Sequence, residues 1–237
     1  MPTFTHGKSA KVMANGYDLS GYFNSVSASG VSDTAEVSTF GNNSKAYIPG
    51  LKDGTFSVEG YYDATAGAVD AVLAAAIGTE TIWTTVFAAD VIGARGYGAG
   101  TITTSVETGA EIGGAVTVSA EGQADGGLDP IIVLHALGAE TASGNSTQVD
   151  NGAGTTNGLA AYLQVTATSG TPTFVGKVQH STDGSTWADL ATFSSVTTAN
   201  VAERITTSGT VNRYLRALWT ISGGSPSVTF HMSAARL

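Results

Sequence analysis

The chain has 237 residues, which is enough for one large domain or two small ones. Its 42% hydrophobic residues, 31 glycines and only 12% charged residues are typical of a β protein with many turns. The lack of cysteine excludes disulfides and thiolate sites, and the net charge of −9 argues against tight nucleic-acid binding, which needs Lys and Arg.

The charge is unevenly placed along the chain. Residues 1–137 hold five bases and fourteen acids, whereas residues 138–237 hold five of each. The first segment, MPTFTHGKSA, lacks the apolar core of a signal peptide. The longest apolar run, AVDAVLAAAIG, is too short to span a bilayer. We therefore expect a soluble chain that is made in a cytoplasm and makes no membrane contact.

The first elements are predicted to be strands. Asn15-Gly16 lies between apolar residues, which is a strong signal for a β-hairpin with a type I′ turn. Further on, TFSVEGYY alternates, with Phe56 and Val58 on one face and Ser57 and Glu59 on the other. This pattern predicts a strand that is buried on one side only.

One helix is predicted, over residues 64–78. Asp63 and Thr65 are candidate N-caps, and Gly78 is a natural C-terminal stop. The helical spacing of the apolar residues predicts that one face packs against a sheet. Its predicted apolar face comprises Ala66, Val69, Leu73, Ala76 and Ile77.

The remaining pattern predicts a mainly β fold in two parts. Strands dominate residues 1–137, which indicates an N-terminal β-barrel or sandwich with one packed α-helix. Residues 138–157 are small, polar and without periodicity, which predicts a flexible linker. Short strands at regular spacing over residues 158–237 predict an independent C-terminal antiparallel β-sandwich.

No constellation of catalytic or metal-binding residues emerges. The four histidines are scattered, so we predict no enzyme activity, no cofactor and no metal. Asp125 and Asp129 in ADGGLDP are too few ligands for calcium and predict a turn before the next strand. An acidic solvent-exposed face is predicted instead on neighbouring strands, with the candidates Glu107, Glu111 and Glu121.

The segment HSTDGSTWADL is the most distinctive one in the C-terminal part. Asp183-Gly184 predicts a hairpin turn, with Trp187 packed beside it. The segment resembles the hairpin of discoidin-type and related carbohydrate-binding sandwiches, and RYLRALW, at residues 213–219, resembles a strand of the same folds. In those folds both motifs are largely structural, so the resemblance implies a structural role for these three residues.

Residues 31–63, VSDTAEVSTFGNNSKAYIPGLKDGTFSVEGYYD, change from a polar loop to an alternating strand. This segment, with the helix and acidic strands that follow it, resembles the major tail tube proteins of long-tailed phages. The resemblance covers roughly residues 5–137. It implies homohexameric rings that are joined by sheet edges and stacked into a tube. The C-terminal part resembles a domain that decorates the outside of some of these tails.

The resemblance also implies roles for particular residues. The loop would reach the adjacent ring, with Phe40 and Tyr47 as apolar anchors and a polar set comprising Asn42, Asn43, Ser44 and Lys45. The acidic candidates would line the channel, so that DNA passes without specific binding. The implied partners are further copies of the chain, a tape measure protein, and tail terminator and tip proteins, all in a virion tail.

Two other functions stay open at this point. The DG-containing hairpin would also suit a carbohydrate-binding surface module of the lectin or adhesin kind, and the outer part could contact host-surface glycan weakly. A polysaccharide hydrolase would need a convergent acid pair, and the sequence does not reveal one.

Overall fold

The computed structural model describes residues 6–237. The first five residues of MPTFTHGKSA, for which the sequence predicts no signal peptide, therefore lie outside the described residues. The predicted fold class is confirmed, because the structure is mainly antiparallel β with one α-helix. The helix is α1 (Val69–Ala76), and the strands in chain order are β1 (Lys11–Ala14), β2 (Tyr17–Asp18), β3 (Phe23–Glu36), β4 (Tyr47–Tyr61), β5 (Glu80–Val86), β6 (Arg95–Gly109), β7 (Thr117–Glu140), β8 (Gly144–Asn145), β9 (Val149–Asp150), β10 (Leu159–Ser181), β11 (Ala188–Thr192), β12 (Val201–Thr207) and β13 (Tyr214–Arg236).

Strand β7 joins the two ends of the molecule. On its N-terminal side it pairs with β4 and β6, and the sheet continues through β5 and β1 to β2. On its C-terminal side it pairs with β13, through Ile132 to Glu140. Strand β13 then pairs with β10 along most of its length. One hydrogen-bonded sheet therefore connects the N-terminal and C-terminal parts of the chain.

The N-terminal core lies inside a curled sheet. Phe56 and Val58 are buried, as their alternation predicts. Phe56 of β4 stacks on Trp83 of β5 with ring centroids 6.1 Å apart, although β7 and β6 lie between those strands in the sheet. The sheet must therefore curve around this core. The Asn15-Gly16 turn is also confirmed, with φ values of 49° and 80°.

Helix α1 is shorter than predicted. It begins at Val69 rather than near residue 64, because Gly67 has a φ of 79° that interrupts any earlier turn. Asp63 accepts a hydrogen bond from the Thr65 amide, but neither residue caps the helix. The predicted stop at Gly78 is confirmed by a φ of 70°. The buried helix residues are Val69, Val72, Leu73 and Ala76.

The C-terminal part is built on two long strands where the sequence predicts several short ones. β10 runs continuously past Gly170, and β13 runs continuously past Gly223. Both glycines have positive φ, and the register of β10 on β13 shifts between Ser169 and Thr171. A Cβ on Gly223 would lie 1.9 Å from the Thr171 carbonyl oxygen. The glycines therefore permit a β-bulge that bends both strands.

The prediction of a flexible linker over residues 138–157 differs from what the structure shows. β7 continues to Glu140, and β8 and β9 both pair with β13. Ser146 is buried and exchanges hydrogen bonds of 2.9 and 3.0 Å with the Ala217 backbone. A Cβ on Gly144 would come within 2.9 Å of the Trp219 ring. Small residues are needed here for close packing, which the sequence pattern alone does not distinguish from flexibility.

Asp150 anchors this segment and makes part of its stability depend on pH. The Arg213 guanidinium donates two hydrogen bonds to the carboxylate, at 2.6 and 2.5 Å, and lowers the pKa of Asp150 to about 2. Because the folded-state pKa lies below the ordinary value of 3.8, the stabilisation is present above pH 4 and disappears as the pH falls through about 2.

Between pH 4 and pH 2, we expect the melting temperature of Asp150→Asn to fall by less than that of the wild-type protein, as measured by circular dichroism. An Asp70→Asn control, whose carboxylate makes no ion pair within residues 6–237, should follow the wild-type curve. Parallel curves for Asp150→Asn and wild type would contradict the role given to this pair.

Candidate assembly surfaces

The hairpin formed by β3 and β4 extends beyond the sheet. The two strands pair from Phe23–Gly60 to Glu36–Tyr47. Only the last part of β4, Thr55 to Tyr61, pairs with β7. Residues 31–53 therefore form a two-stranded ribbon with no sheet neighbour, and almost every residue in it is exposed. This ribbon contains the polar loop that includes Phe40, Asn42, Asn43, Ser44 and Lys45.

The ribbon carries a large share of the exposed apolar side chains of the described chain. Phe40, at the tip, is fully exposed, and Leu51 is 81% exposed. The apolar residues of this hairpin patch are Val31, Val37, Phe40, Tyr47, Ile48 and Leu51. Tyr47 and Ile48 are consecutive in β4, so the hairpin patch covers both faces of the ribbon. Several exposed apolar residues concentrated on one protruding element mark an interaction site more often than a solvent-facing surface.

The tip of the ribbon is held by local polar contacts. Asn42 accepts a hydrogen bond of 2.7 Å from the Thr39 hydroxyl, so this predicted loop residue partly serves the turn itself. Lys45 forms an exposed ion pair of 3.0 Å with Glu36 across the ribbon. Asn43 and Ser44 are exposed, and within residues 6–237 their side chains make no hydrogen bond. Their polar groups are therefore accessible to another molecule.

The opposite end of this sheet also exposes apolar groups. β4 and β7 run antiparallel, with Tyr61 opposite Thr117, so the turn between β6 and β7 lies at the end away from the ribbon. Ile112 in that turn is fully exposed, Tyr61 is 52% exposed, and Val116 is partly exposed beside them. The N-terminal part thus carries exposed apolar side chains at two opposite ends.

Two of the three acidic candidates share one exposed sheet face. Glu107 of β6 lies opposite Ser119 of β7, which in turn lies opposite Glu59 of β4. Glu121 is two residues along β7 from Ser119 and therefore points to the same side. All three carboxylates are exposed, whereas Phe56 and Val58 are buried on the other side of the sheet.

Where β3, β4, β7 and β6 pair to form this acidic face, no basic side chain lies on it. Its members from β3 to β6 are Ser25, Ser27, Ser29, Asp53, Thr55, Ser57, Glu59, Ser119, Glu121, Gln123, Ser105, Glu107 and the exposed apolar Ile102, which lies opposite Gln123. Glu111 lies in the exposed turn after β6 and not on the face. Glu59 joins the face although it was not among the candidates. Strand alternation places Glu59 on the polar side, but only the register of three strands reveals its neighbours.

Strand β3 leaves one side of this sheet open. It pairs only with β4 among the described residues, over fourteen residues. An edge of this length presents unpaired backbone N–H and C=O groups to which another strand could add.

Asp183, Gly184 and Trp187 have contacts that a structural turn requires. Hydrogen bonds from the Thr186 and Ser185 amides and from the Ser181 hydroxyl hold the pKa of Asp183 well below its usual value. Gly184 has a φ of 72°. The Arg216 guanidinium carbon lies 4.2 Å from the centre of the Trp187 ring. The polar atoms of the Asp183 carboxylate are therefore engaged within the hairpin.

No group of three or more His, Asp or Glu side chains in residues 6–237 is arranged to hold a metal ion. Within the same residues, no helix has the length and apolarity needed to cross a membrane.

Comparisons with known proteins give distant structural matches only. No protein-family profile and no curated protein matches the chain. A chain from the virion of a native gene transfer agent particle has 13% identity and a TM-score of 0.44, covering 54% of this chain and 98% of its own. A chain from the tail of an empty gene transfer agent particle with C6 symmetry has a TM-score of 0.43 at the same identity and coverage.

The third structure is the Dit protein of phage SPP1, described as a paradigm of the hub adsorption apparatus in phages that infect Gram-positive bacteria. It has 15% identity and a TM-score of 0.38, covering 96% of this chain and 99% of its own. At TM-scores below 0.5, these likenesses establish neither the fold nor the function of this chain.

Proposed function

We propose that this chain is a structural subunit of a phage tail tube, which self-assembles into stacked hexameric rings. The observation that carries the proposal is the protruding ribbon of residues 31–53 with its exposed hairpin patch. Burying the six apolar side chains of the patch against another protein would stabilise the contact by roughly 25 cal/mol for each Å² removed from water. The same ribbon carries the sequence resemblance to tail tube proteins.

The position of the patch favours stacking in one direction. A copy placed end to end would bring the hairpin patch against Ile112, Tyr61 and Val116 of the next copy. Such a contact joins two different surfaces, so it repeats without closing and produces a filament. Pairing along the open edge of β3 would join neighbours within a ring and cover its backbone groups.

The acidic face suits a channel that lets DNA pass. If Glu59, Glu107 and Glu121 line the channel, their charges repel phosphate, and DNA moves through without being held. The C-terminal part would lie outside the tube. The tape measure protein and the terminator and tip proteins are the further partners that such a tail requires.

Cross-linking tests the end-to-end contact directly, because the chain has no cysteine of its own. We expect the Ser44→Cys, Ile112→Cys double variant, treated with a short bis-maleimide, to give a ladder of covalent oligomers above the dimer in denaturing electrophoresis. Either single variant should stop at dimers, since each copy then offers one thiol.

A second double variant serves as the matched control. Ser44→Cys with Ser208→Cys pairs the ribbon with an exposed position in the C-terminal part, and we expect no ladder from it. The proposed contact would be contradicted if the Ser44→Cys, Ile112→Cys variant gave only monomers. It would also be contradicted if both double variants gave equal ladders.

A further inference from the structure

Three of the five arginines lack a carboxylate partner among the described residues. Arg204 pairs with Asp129 at 2.7 Å, and Arg213 pairs with Asp150 at 2.5 Å. Of the other three, Arg95 and Arg236 line the same cavity, which has a volume of about 340 Å³. Two arginines without a carboxylate partner therefore line one cavity in a chain whose net charge is −9.

The sheet register explains how the two side chains meet. Arg95 of β6 lies opposite Ile132 of β7, and Ile132 lies opposite Ala234 of β13. Arg236 is two residues further along β13, so it points to the same side of the sheet. The two backbones are separated by two strand spacings of about 4.8 Å each, a distance that two extended arginine side chains can span between them.

The other wall of the cavity comes from the segment that contains β9. Val149, Asp150 and Asn151 line this wall. Asp150 is the only acid lining the cavity, and its two carboxylate oxygens already accept hydrogen bonds from Arg213. Its charge is therefore compensated by an arginine outside the cavity, and the charges of Arg95 and Arg236 remain in excess.

Arg236 also carries a buried donor without an acceptor. Its Nε atom is buried and makes no hydrogen bond, and Nη1 reaches only the Asn151 carbonyl oxygen at 3.5 Å. Leaving a buried donor of a charged group unsatisfied is unfavourable, so the Arg236 guanidinium is under-satisfied in this structure. Nη2 also makes no hydrogen bond within residues 6–237 but is not buried, so it can donate to an acceptor placed in the cavity.

We propose that the cavity binds a small oxyanion of the carboxylate or phosphate type between Arg95 and Arg236. The planar guanidinium group matches both anions, because it donates two parallel hydrogen bonds to a pair of oxygens. The cavity volume lies at the lower end of the range of about 300–1,000 Å³ for small-molecule sites. The bound anion would link β6 to β13 and so fasten the two parts of the chain. This site does not depend on the proposed tail function.

Calorimetric titration of the full chain with sodium phosphate and, separately, with sodium acetate tests the site at constant ionic strength. We expect saturable binding of at least one anion, and at least tenfold weaker binding in both Arg95→Gln and Arg236→Gln. Binding of phosphate alone identifies a phosphate-type site, and binding of acetate alone a carboxylate-type site.

Arg216→Gln is the matched control, because Arg216 is also unpaired with an acid but lies outside the cavity. It should bind as wild type does. Arg95 is exposed at the cavity rim, so its variant is informative even if the Arg236 variant fails to fold. Absence of saturable binding of either anion, or equal losses in the Arg95 and Arg216 variants, would overturn the proposal.

Discussion

Asp129→Ala is expected to lower the free energy of unfolding by about 3 kcal/mol, the lower end of the range for breaking a buried ion pair. Asp129 lies on β7 and is buried. It accepts a hydrogen bond of 2.7 Å from Arg204 Nη2 and a further short one from the Tyr162 hydroxyl. The substitution would leave the guanidinium group, whose side chain is 23% exposed, without its counter-charge.

The contact joins the two parts of the molecule. Asp129 belongs to the N-terminal part, whereas Tyr162 on β10 and Arg204 on β12 belong to the C-terminal part. Burial, together with the charge and hydrogen bond of Asp129, raises the pKa of Tyr162, so the phenol stays a neutral donor. A Cβ on Gly98 would approach the Tyr162 ring to 2.9 Å, so β6 passes directly over the aromatic ring.

Urea unfolding followed by tryptophan fluorescence measures this effect. Asp125→Ala, an exposed position on the same strand, is the matched control and should stay within about 0.5 kcal/mol of wild type. Tyr162→Phe should cost about 2 kcal/mol, since it removes the hydrogen bond that the hydroxyl donates to Asp129 and the one that it accepts from Arg204, but keeps the ion pair. If Asp129→Ala were as stable as Asp125→Ala, the junction would not depend on this ion pair.

The Phe40→Ala, Tyr47→Ala double variant is expected to lose assembly while keeping its fold. Both side chains are exposed on the ribbon, so their truncation should change the unfolding free energy by less than about 0.5 kcal/mol. In an assembled contact, truncating an aromatic anchor costs about 2 kcal/mol or more. Two such losses would raise the concentration needed for growth roughly a thousandfold.

Light scattering against protein concentration measures the shift, and the melting temperature reports the fold. Val91→Ala with Ile92→Ala is the control, because it removes two exposed apolar side chains away from the ribbon. This control should assemble as wild type does. If the Phe40→Ala, Tyr47→Ala variant assembled at the same protein concentration as wild type, the ribbon would not form part of the contact between subunits.

Local features of the fold could be predicted where one short segment determines them. Asn15-Gly16 contains both residues that a type I′ turn requires, and the alternation around Phe56 needs only one buried side. The predicted start of the helix is wrong because the spacing of apolar residues includes Gly67, whereas its positive φ excludes it from the helix.

Features that depend on distant residues could not be predicted in this way. Asp129 was expected in a turn, but Gly126 and Gly127 form a bulge inside β7 and direct Asp129 towards residues 33 and 75 positions away. The grouping of Glu59, Glu107 and Glu121 likewise depends on the register of three strands. The role of residues 138–157 depends on β13, whose residues that pair with β8 and β9 follow them by more than sixty positions.

Negative-stain electron microscopy of the purified wild-type protein at high concentration, with light scattering on the same sample, tests self-assembly most directly. The proposed function predicts rings or hollow tubes with a central channel, and scattering that rises with protein concentration. A monomeric globular particle at every concentration would contradict self-assembly by this chain.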